Sequence, residues 1–124
     1  MEVRKKILVV DDSRAILMME SMILRKGPYQ LVTASDGAEA VEKAVAERPD
    51  LILMDVVMPR MTGFEACRAL RGRADTAAIP IIFVTTRGEG ENVEAGYSTG
   101  GSDYVTKPIN GAELLAKVRD QLGV

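Results

Sequence analysis

Short apolar segments alternate along the chain with longer stretches that have the spacing of amphipathic helices. The apolar segments are rich in β-branched residues and predict five strands, at about 7–10, 30–34, 51–54, 81–84 and 104–106. The longer stretches predict five helices, at about 13–26, 36–47, 63–71, 91–98 and 110–122. The first, third and fourth strands are apolar almost throughout, as in parallel sheets covered on both faces. The pattern therefore predicts one α/β domain over residues 1–124, a doubly wound five-stranded parallel sheet.

Composition narrows the class of protein without changing this picture. Of the 124 residues, 47% are hydrophobic and 27% are charged, which is typical of a folded globular domain. The apolar runs reach only about six residues, whereas a membrane-spanning helix needs roughly 20, so no membrane insertion is expected. The single Cys67 cannot form an internal disulfide, in keeping with a reducing cytoplasm. A net charge of −2 argues against direct binding of nucleic acid.

Ionisable and hydroxyl side chains stand where the predicted strands end. Asp11 and Asp12 follow the first strand, Asp55 the third, Thr85 and Thr86 the fourth, and Lys107 the fifth. Ligands of open parallel sheets bind beyond the carboxyl ends of the strands, so these groups are expected to converge. The chain has no histidine, so its chemistry has to use carboxylates, hydroxyls, lysine and a metal bound through oxygen.

The expected cluster is short of positive charge. Asp11, Asp12, Asp55 and Lys107 together carry a formal charge of −2, which a hard divalent cation such as Mg²⁺, with Mn²⁺ as a substitute, would neutralise. Asp11, Asp12, Asp55 and the backbone carbonyl of Val57 are the expected ligands. Asp55 is the candidate nucleophile for phosphoryl transfer, with Lys107 and Thr85 contacting phosphoryl oxygens.

Several of these residues belong to longer sequence motifs that resemble those of a known protein family. They are Val9-Val-Asp-Asp12, Ala34-Ser-Asp-Gly-Ala-Glu-Ala40, Asp50-Leu-Ile-Leu-Met-Asp55, Met58-Pro59 followed by Gly63, Val84-Thr85 and Tyr104-Val-Thr-Lys-Pro108. In this order, and over nearly the whole chain, they resemble the receiver domains of two-component response regulators, in particular the single-domain chemotaxis type. The resemblance implies a flavodoxin-like fold with strand order 2-1-3-4-5.

The resemblance also implies a function and partners. A sensor histidine kinase or histidine phosphotransfer protein would phosphorylate Asp55. Thr85 and Tyr104 would then rearrange, changing the face formed by the fourth helix, fifth strand and fifth helix, to which a downstream protein binds. The only catalysis would be the chain's own phosphorylation and dephosphorylation, and the chain would be a monomer or a weak, phosphorylation-dependent dimer.

Three positions depart from the family pattern. Thr86 stands where the family has a small residue and lines the access to the phosphoryl group. Val57 and Arg87 occupy positions that tune dephosphorylation in the family. An apolar residue and a bulky cation at these positions predict a long-lived phosphorylated state.

Other interpretations remain open on sequence grounds. The chain could be an aspartate-nucleophile phosphohydrolase, although Val57 replaces the second acid of that family's Asp-x-Asp motif. It could be a nucleotide- or flavin-binding module, but the glycines at 88–101 lack a phosphate-loop ending. It could also be a degenerate receiver that only binds other proteins, and Tyr104 could simply be a packing residue.

The first predicted helix carries a separate feature. Its expected inward face consists of Ile16, Met19, Ile23 and Leu24, which leaves Met18 and Met22 outside it as an exposed apolar pair. The pair is interpreted either as scattered surface methionines or as a docking patch for a helical phosphodonor domain.

Overall fold

The structure, a computed structural model, describes residues 4–86 and 100–124. Its strands are β1 (Lys5–Val10), β2 (Tyr29–Ala34), β3 (Leu51–Asp55), β4 (Ile81–Thr86) and β5 (Asp103–Lys107). Its helices are α1 (Arg14–Leu24), α2 (Gly37–Glu47), α3 (Gly63–Arg71) and α4 (Gly111–Leu122), the last being the fifth predicted helix. The helix predicted at about 91–98 lies outside the described residues.

All strand pairs are parallel, and the strand order is β2-β1-β3-β4-β5. This confirms the doubly wound, flavodoxin-like topology. From β1 the chain passes to β2, which lies on one side of β1, and then to β3, which pairs with the other side of β1. Val10 of β1 is opposite Met54 of β3. The strand order reverses at this point, and Asp11 and Asp55 immediately follow that pair.

Alternation along the strands divides the apolar core between the two faces of the sheet. One face packs beneath α2 and α3 through residues that include Leu8, Val10, Ile52, Met54 and Phe83. The other packs beneath α1 and α4 through residues that include Ile7, Val9, Leu51, Leu53 and Val105. Because strand side chains alternate with a period of two, this division also determines to which face each residue at a strand end belongs.

The helices begin at polar caps. The side chains of Ser13, Asp36, Thr62 and Asn110 each accept a hydrogen bond from a backbone N–H in the first turn, worth about 1 kcal/mol each. In a capping box, the Glu39 carboxylate would accept a hydrogen bond from the backbone N–H of the cap residue, Asp36. In α2 it accepts from the N–H of Ser35. A complete capping box is formed instead by Thr62 and Glu65, which fixes the start of α3 after the loop that follows Asp55.

The expected orientation of α1 was partly wrong. Leu24 is buried, and Met18 and Met22 are exposed as predicted, but Met19 is also exposed. The position facing the sheet is taken instead by Glu20, which is 1% exposed. In the described part of the chain, no helix has the length and hydropathy needed to span a membrane.

Candidate functional site

Three aspartates meet at the carboxyl ends of β1 and β3. Carboxylate oxygens of Asp11, Asp12 and Asp55 lie within 4.8 Å of one another. Asp11 and Asp55 are buried, whereas Asp12 is exposed. Oδ1 of Asp11 accepts the backbone N–H of Ser13 at 2.9 Å, which ties this carboxylate to the first turn of α1.

Lys107 joins the aspartates from β5. Its Nζ lies 3.2 Å from Oδ1 of Asp55 and 3.4 Å from Oδ2 of Asp11. The second contact is an ion pair without hydrogen-bond geometry, because Oδ2 of Asp11 receives no hydrogen bond. Strand β4 separates β5 from β3, so the side chains of Lys107 and Asp55 together have to bridge two strand spacings, about 10 Å. Lysine combines this reach with a positive charge.

Burial and repulsion between carboxylates dominate the electrostatics of the cluster. Burial, followed by the charge of Asp11, raises the pKa of the Asp55 carboxyl to about 6 although Lys107 opposes the change. Burial also raises the pKa of Asp11. Burial alone would lower the pKa of the Lys107 ammonium, but the carboxylates of Asp55 and Asp11 outweigh it and raise that pKa. At neutral pH Asp55 is therefore mostly ionised, as a nucleophilic carboxylate has to be.

The aspartate cluster fits a hard divalent cation. It offers only oxygen donors, with no sulfur or imidazole, and this set suits Mg²⁺. Oδ2 of Asp11 is buried without a hydrogen-bond donor, and the exposure of Asp12 leaves the cluster open to water on one side. Both features match an ion that keeps several bound waters.

Tyr104 lies on the face of the sheet that α2 and α3 cover, and Thr85 lies near the end of β4, one residue after the partner of Asp55. Both are buried, and Tyr104 pairs in register with Phe83, two residues before Thr85. The Phe83 and Tyr104 rings are 5.8 Å apart, and Phe64 packs edge-on against Phe83 at 5.0 Å. Tyr104 therefore belongs to an aromatic cluster, and the roles of Thr85 and Tyr104 in switching stay predictions.

The three positions expected to tune dephosphorylation are placed only in part. Val57 lies two residues beyond Asp55 and is 65% exposed, so its side chain stands at the open side of the site. Its carbonyl stays a predicted ligand. The backbone of Thr86 ends β4, opposite Lys107, and Arg87 lies outside the described residues.

Sequence reasoning missed Glu20. This α1 residue is buried, and neither of its carboxylate oxygens receives a hydrogen bond. Burial, followed by the charge of Asp11, raises the pKa of the Glu20 carboxyl to about 8; Lys107 opposes the change and Asp55 adds to it. A signal was present, because Glu20 is four residues from both Ile16 and Leu24 and so shares their helix face. An acid at that position breaks the apolar pattern.

Comparison with known proteins gives a consistent family match. Residues 7–119 match the profile of the response regulator receiver domain. Protein PilH of Pseudomonas aeruginosa is 40% identical over 91% of the chain and 93% of its own length. Other curated relatives, several of them transcriptional regulators, are longer, and the chain spans about half of their length.

Solved structures with the same fold agree with this match. The chemotaxis response regulator CheY4 of Vibrio cholerae is 38% identical, with a TM-score of 0.89 over 96% of this chain and 99% of that one. The receiver domain of the sensor histidine kinase PA1611 from Pseudomonas aeruginosa is 30% identical, with a TM-score of 0.90 over 98% and 100%. That structure holds a magnesium ion coordinated in its active-site cleft.

Proposed function

Because the chain belongs to the receiver-domain family of two-component response regulators, we propose that it is phosphorylated on Asp55 and acts as a phosphorylation-dependent switch. One observation carries this proposal. The buried Asp55 carboxylate lies among Asp11, Asp12 and Lys107 at the point where the strand order reverses. This arrangement combines a nucleophile, a cation site and a positive charge for phosphoryl oxygens.

In the proposed reaction, a carboxylate oxygen of Asp55 attacks the phosphorus of a partner's phosphohistidine. The new O–P bond forms as the P–N bond breaks, and the electron pair leaves with the imidazole nitrogen. A Mg²⁺ ion held by Asp11, Asp12 and Asp55 would supply positive charge beside the phosphoryl oxygens, and Mn²⁺ has the same ligand preference. Lys107 pairs with a phosphoryl oxygen in place of the Asp55 oxygen that it contacts in this structure.

The switch that follows would link Thr85, near the end of β4, to Tyr104 on the other face of the sheet. Thr85 is buried one residue beyond Val84, which pairs with Asp55. We propose that Thr85 binds a phosphoryl oxygen and that Tyr104 then changes its packing against Phe83. The face formed by the helix predicted at about 91–98, β5 and α4 would change with them, providing the binding face for a downstream protein.

One position at the site supports a switch over a phosphohydrolase. Turnover of phosphate esters requires an acid–base group beside the nucleophile, and Val57 stands at the position where those enzymes have a second acid. The chain's catalysis is therefore limited to its own phosphorylation and dephosphorylation. We further propose that residues 1–124 act as one unit in the cytoplasm, monomeric or weakly dimeric.

The exposed methionines of α1 offer a docking surface for the phosphodonor. Met18 is 66% exposed and Met22 61%, and they adjoin a groove of about 460 Å³ that Ala15, Met19, Ile23 and Lys26 also line. Because α1 begins two residues after Asp12, a helical donor domain seated on this groove would bring its phosphohistidine close to Asp55. Flexible methionines suit such a contact.

The proposal is tested by the mass of the intact protein after incubation with acetyl phosphate. We expect the mass to rise by one phosphoryl group only when Mg²⁺ is present, and not at all in Asp55→Asn. Asp50→Asn, at the partly buried aspartate before β3, is the control and should still gain the group. Equal incorporation in wild type and Asp55→Asn would refute Asp55 as the acceptor, and no incorporation in the wild type would favour a degenerate receiver.

A further inference from the structure

Glu20 carries a buried carboxyl group that the proposed reaction does not use. The residue lies on α1 and is 1% exposed, on the side of the sheet where Ile7, Val9 and Leu24 form the core. Burying a carboxyl group without a hydrogen-bond partner is unfavourable, so such a residue needs an explanation.

Strand alternation places three charged residues of the site on the side of the sheet that α1 covers. Asp11 follows Ile7 and Val9 in steps of two, Asp55 follows Leu51 and Leu53, and Lys107 follows Val105. All three charged residues therefore belong to the face that α1 covers. The carboxyl of Glu20 interacts electrostatically with each of them, most strongly with Asp11.

Hydrogen-bond acceptors exceed donors at this point of the structure. Among the described residues, the buried side-chain oxygens that lack a donor are Oδ2 of Asp11 and both oxygens of Glu20. The Lys107 ammonium lies near them but is already paired with Asp55 and Asp11. A hydrated divalent cation would bring both missing components, since it carries two positive charges and its bound waters donate hydrogen bonds.

We propose that Glu20 is a fourth carboxylate of the divalent-cation site, a positioning residue that strengthens ion binding through Asp11 and ion-bound water without being a direct ligand. This inference rests on the proposed function, since it requires that Asp11, Asp12 and Asp55 bind a divalent cation. It assigns to α1 a part in the chemistry of the site in addition to its role in packing.

The test measures Mg²⁺ binding by isothermal titration calorimetry. Wild type, Glu20→Gln and Glu20→Leu are compared at pH 8.5, where wild-type Glu20 is mostly ionised, and in 0.15 M NaCl, where distant surface charges are screened. We expect both variants to bind Mg²⁺ about tenfold more weakly, the usual effect of losing a group that supports a metal ligand. Glu42→Gln removes the same charge from an exposed position on α2 and should bind as the wild type does.

Urea unfolding without metal distinguishes this role from a structural one. Because Glu20→Leu removes a buried carboxyl without a partner, it should be at least as stable as the wild type while binding Mg²⁺ more weakly. Wild-type Mg²⁺ affinity in both variants would overturn the inference and leave the proposed function intact. Weaker binding accompanied by a matching loss of stability in both variants would overturn it too. A wild type that binds no Mg²⁺ would overturn the inference together with the proposed cation site.

Discussion

The backbone carbonyl oxygen of Asp55 lies so close to Gly63 that a Cβ atom on Gly63 would overlap it. The distance from such a Cβ to the carbonyl oxygen would be well under 3.0 Å. The carbonyl belongs to the backbone, so it cannot move aside as the end of a flexible side chain can. The N–H of Gly63 also donates to the carbonyl of Val56 at 2.9 Å. The first residue of α3 therefore lies directly against Asp55, the proposed phosphoacceptor, and only glycine fits there.

Gly63→Ala should move α3 and Asp55 apart. We expect it to lower the free energy of unfolding by about 1–3 kcal/mol, the usual cost of overpacking, and to slow phosphoryl uptake from acetyl phosphate. Urea unfolding and intact-protein mass measure the two effects. Gly72→Ala is the matched control, because a Cβ there would meet its nearest atom at 3.5 Å. Equal stability of the two variants would show that the Asp55 loop yields easily.

Arg71 links α3 to two other segments, which contain Ala77 and Ile79 in one and Gly100 in the other. Both of these segments are distant from the charged cluster. Its guanidinium donates to the carbonyls of Gly100 at 2.7 and 3.0 Å, Ile79 at 2.6 Å and Ala77 at 3.1 Å. A lysine cannot reproduce this fork of donors. We expect Arg71→Lys to lower the free energy of unfolding by about 1–3 kcal/mol, measured in urea. Arg68→Lys, an exposed change on the same helix, should change it little, and a similar effect of both would contradict this role.

Much of the fold and site could be predicted from the chain because its signals are local. The strands at Ile7–Val10 and Leu51–Met54 are continuous apolar runs, and the aspartates that follow them converge because parallel strands end at one edge. The role of Arg71 could not be predicted, since its acceptors are backbone carbonyls that give no signal in the sequence. The helical wheel of α1 also failed at Met19, because hydropathy alone cannot indicate that a carboxyl such as Glu20 will be buried.

Glu20 should make the metal-free protein less stable as pH rises. Its folded-state pKa of about 8 lies above the ordinary value of 4.5, so its stabilising contribution is complete below pH 4.5 and is lost as pH rises through 8. Asp55 acts in the same direction but between 3.8 and about 6. In EDTA, between pH 6.5 and 8, the free energy of unfolding should therefore fall by on the order of 1 kcal/mol.

Glu20→Gln isolates that contribution. Its urea-derived stability should vary less than that of the wild type over the same pH range, because the amide does not titrate. Parallel curves for the two proteins would show that Glu20 has an ordinary pKa in the folded state.

Val57 should lengthen the lifetime of the phosphorylated state. It is exposed at the open side of the site and cannot orient an attacking water. We expect Val57→Asn, alone and more strongly with Arg87→Glu, to lose the phosphoryl group faster than the wild type, as followed by intact-protein mass after removal of the donor. Val57→Ala, which remains apolar, should lose it at nearly the wild-type rate. A double variant no faster than the wild type would exclude control by these positions.

The exposed methionines of α1 should matter for the phosphodonor protein and not for acetyl phosphate. Met18→Lys with Met22→Lys should slow phosphotransfer from the cognate kinase or phosphotransfer domain, because two charges would enter an apolar contact, while uptake from acetyl phosphate stays unchanged. Ala46→Lys, on the exposed surface of α2, controls for added charge. An unchanged rate from the protein donor would show that it docks elsewhere.

The pairing of β5 with β4 also bears on the fidelity of folding. In the native register, Thr86 faces Lys107 and the ammonium reaches Asp55. A slip of one residue would turn Lys107 to the opposite face and present Thr106 or Pro108 to the aspartates, because side chains alternate along a strand. Two buried carboxylates would then be left without a cation. The negative charge of the aspartate cluster therefore also penalises a misaligned sheet edge.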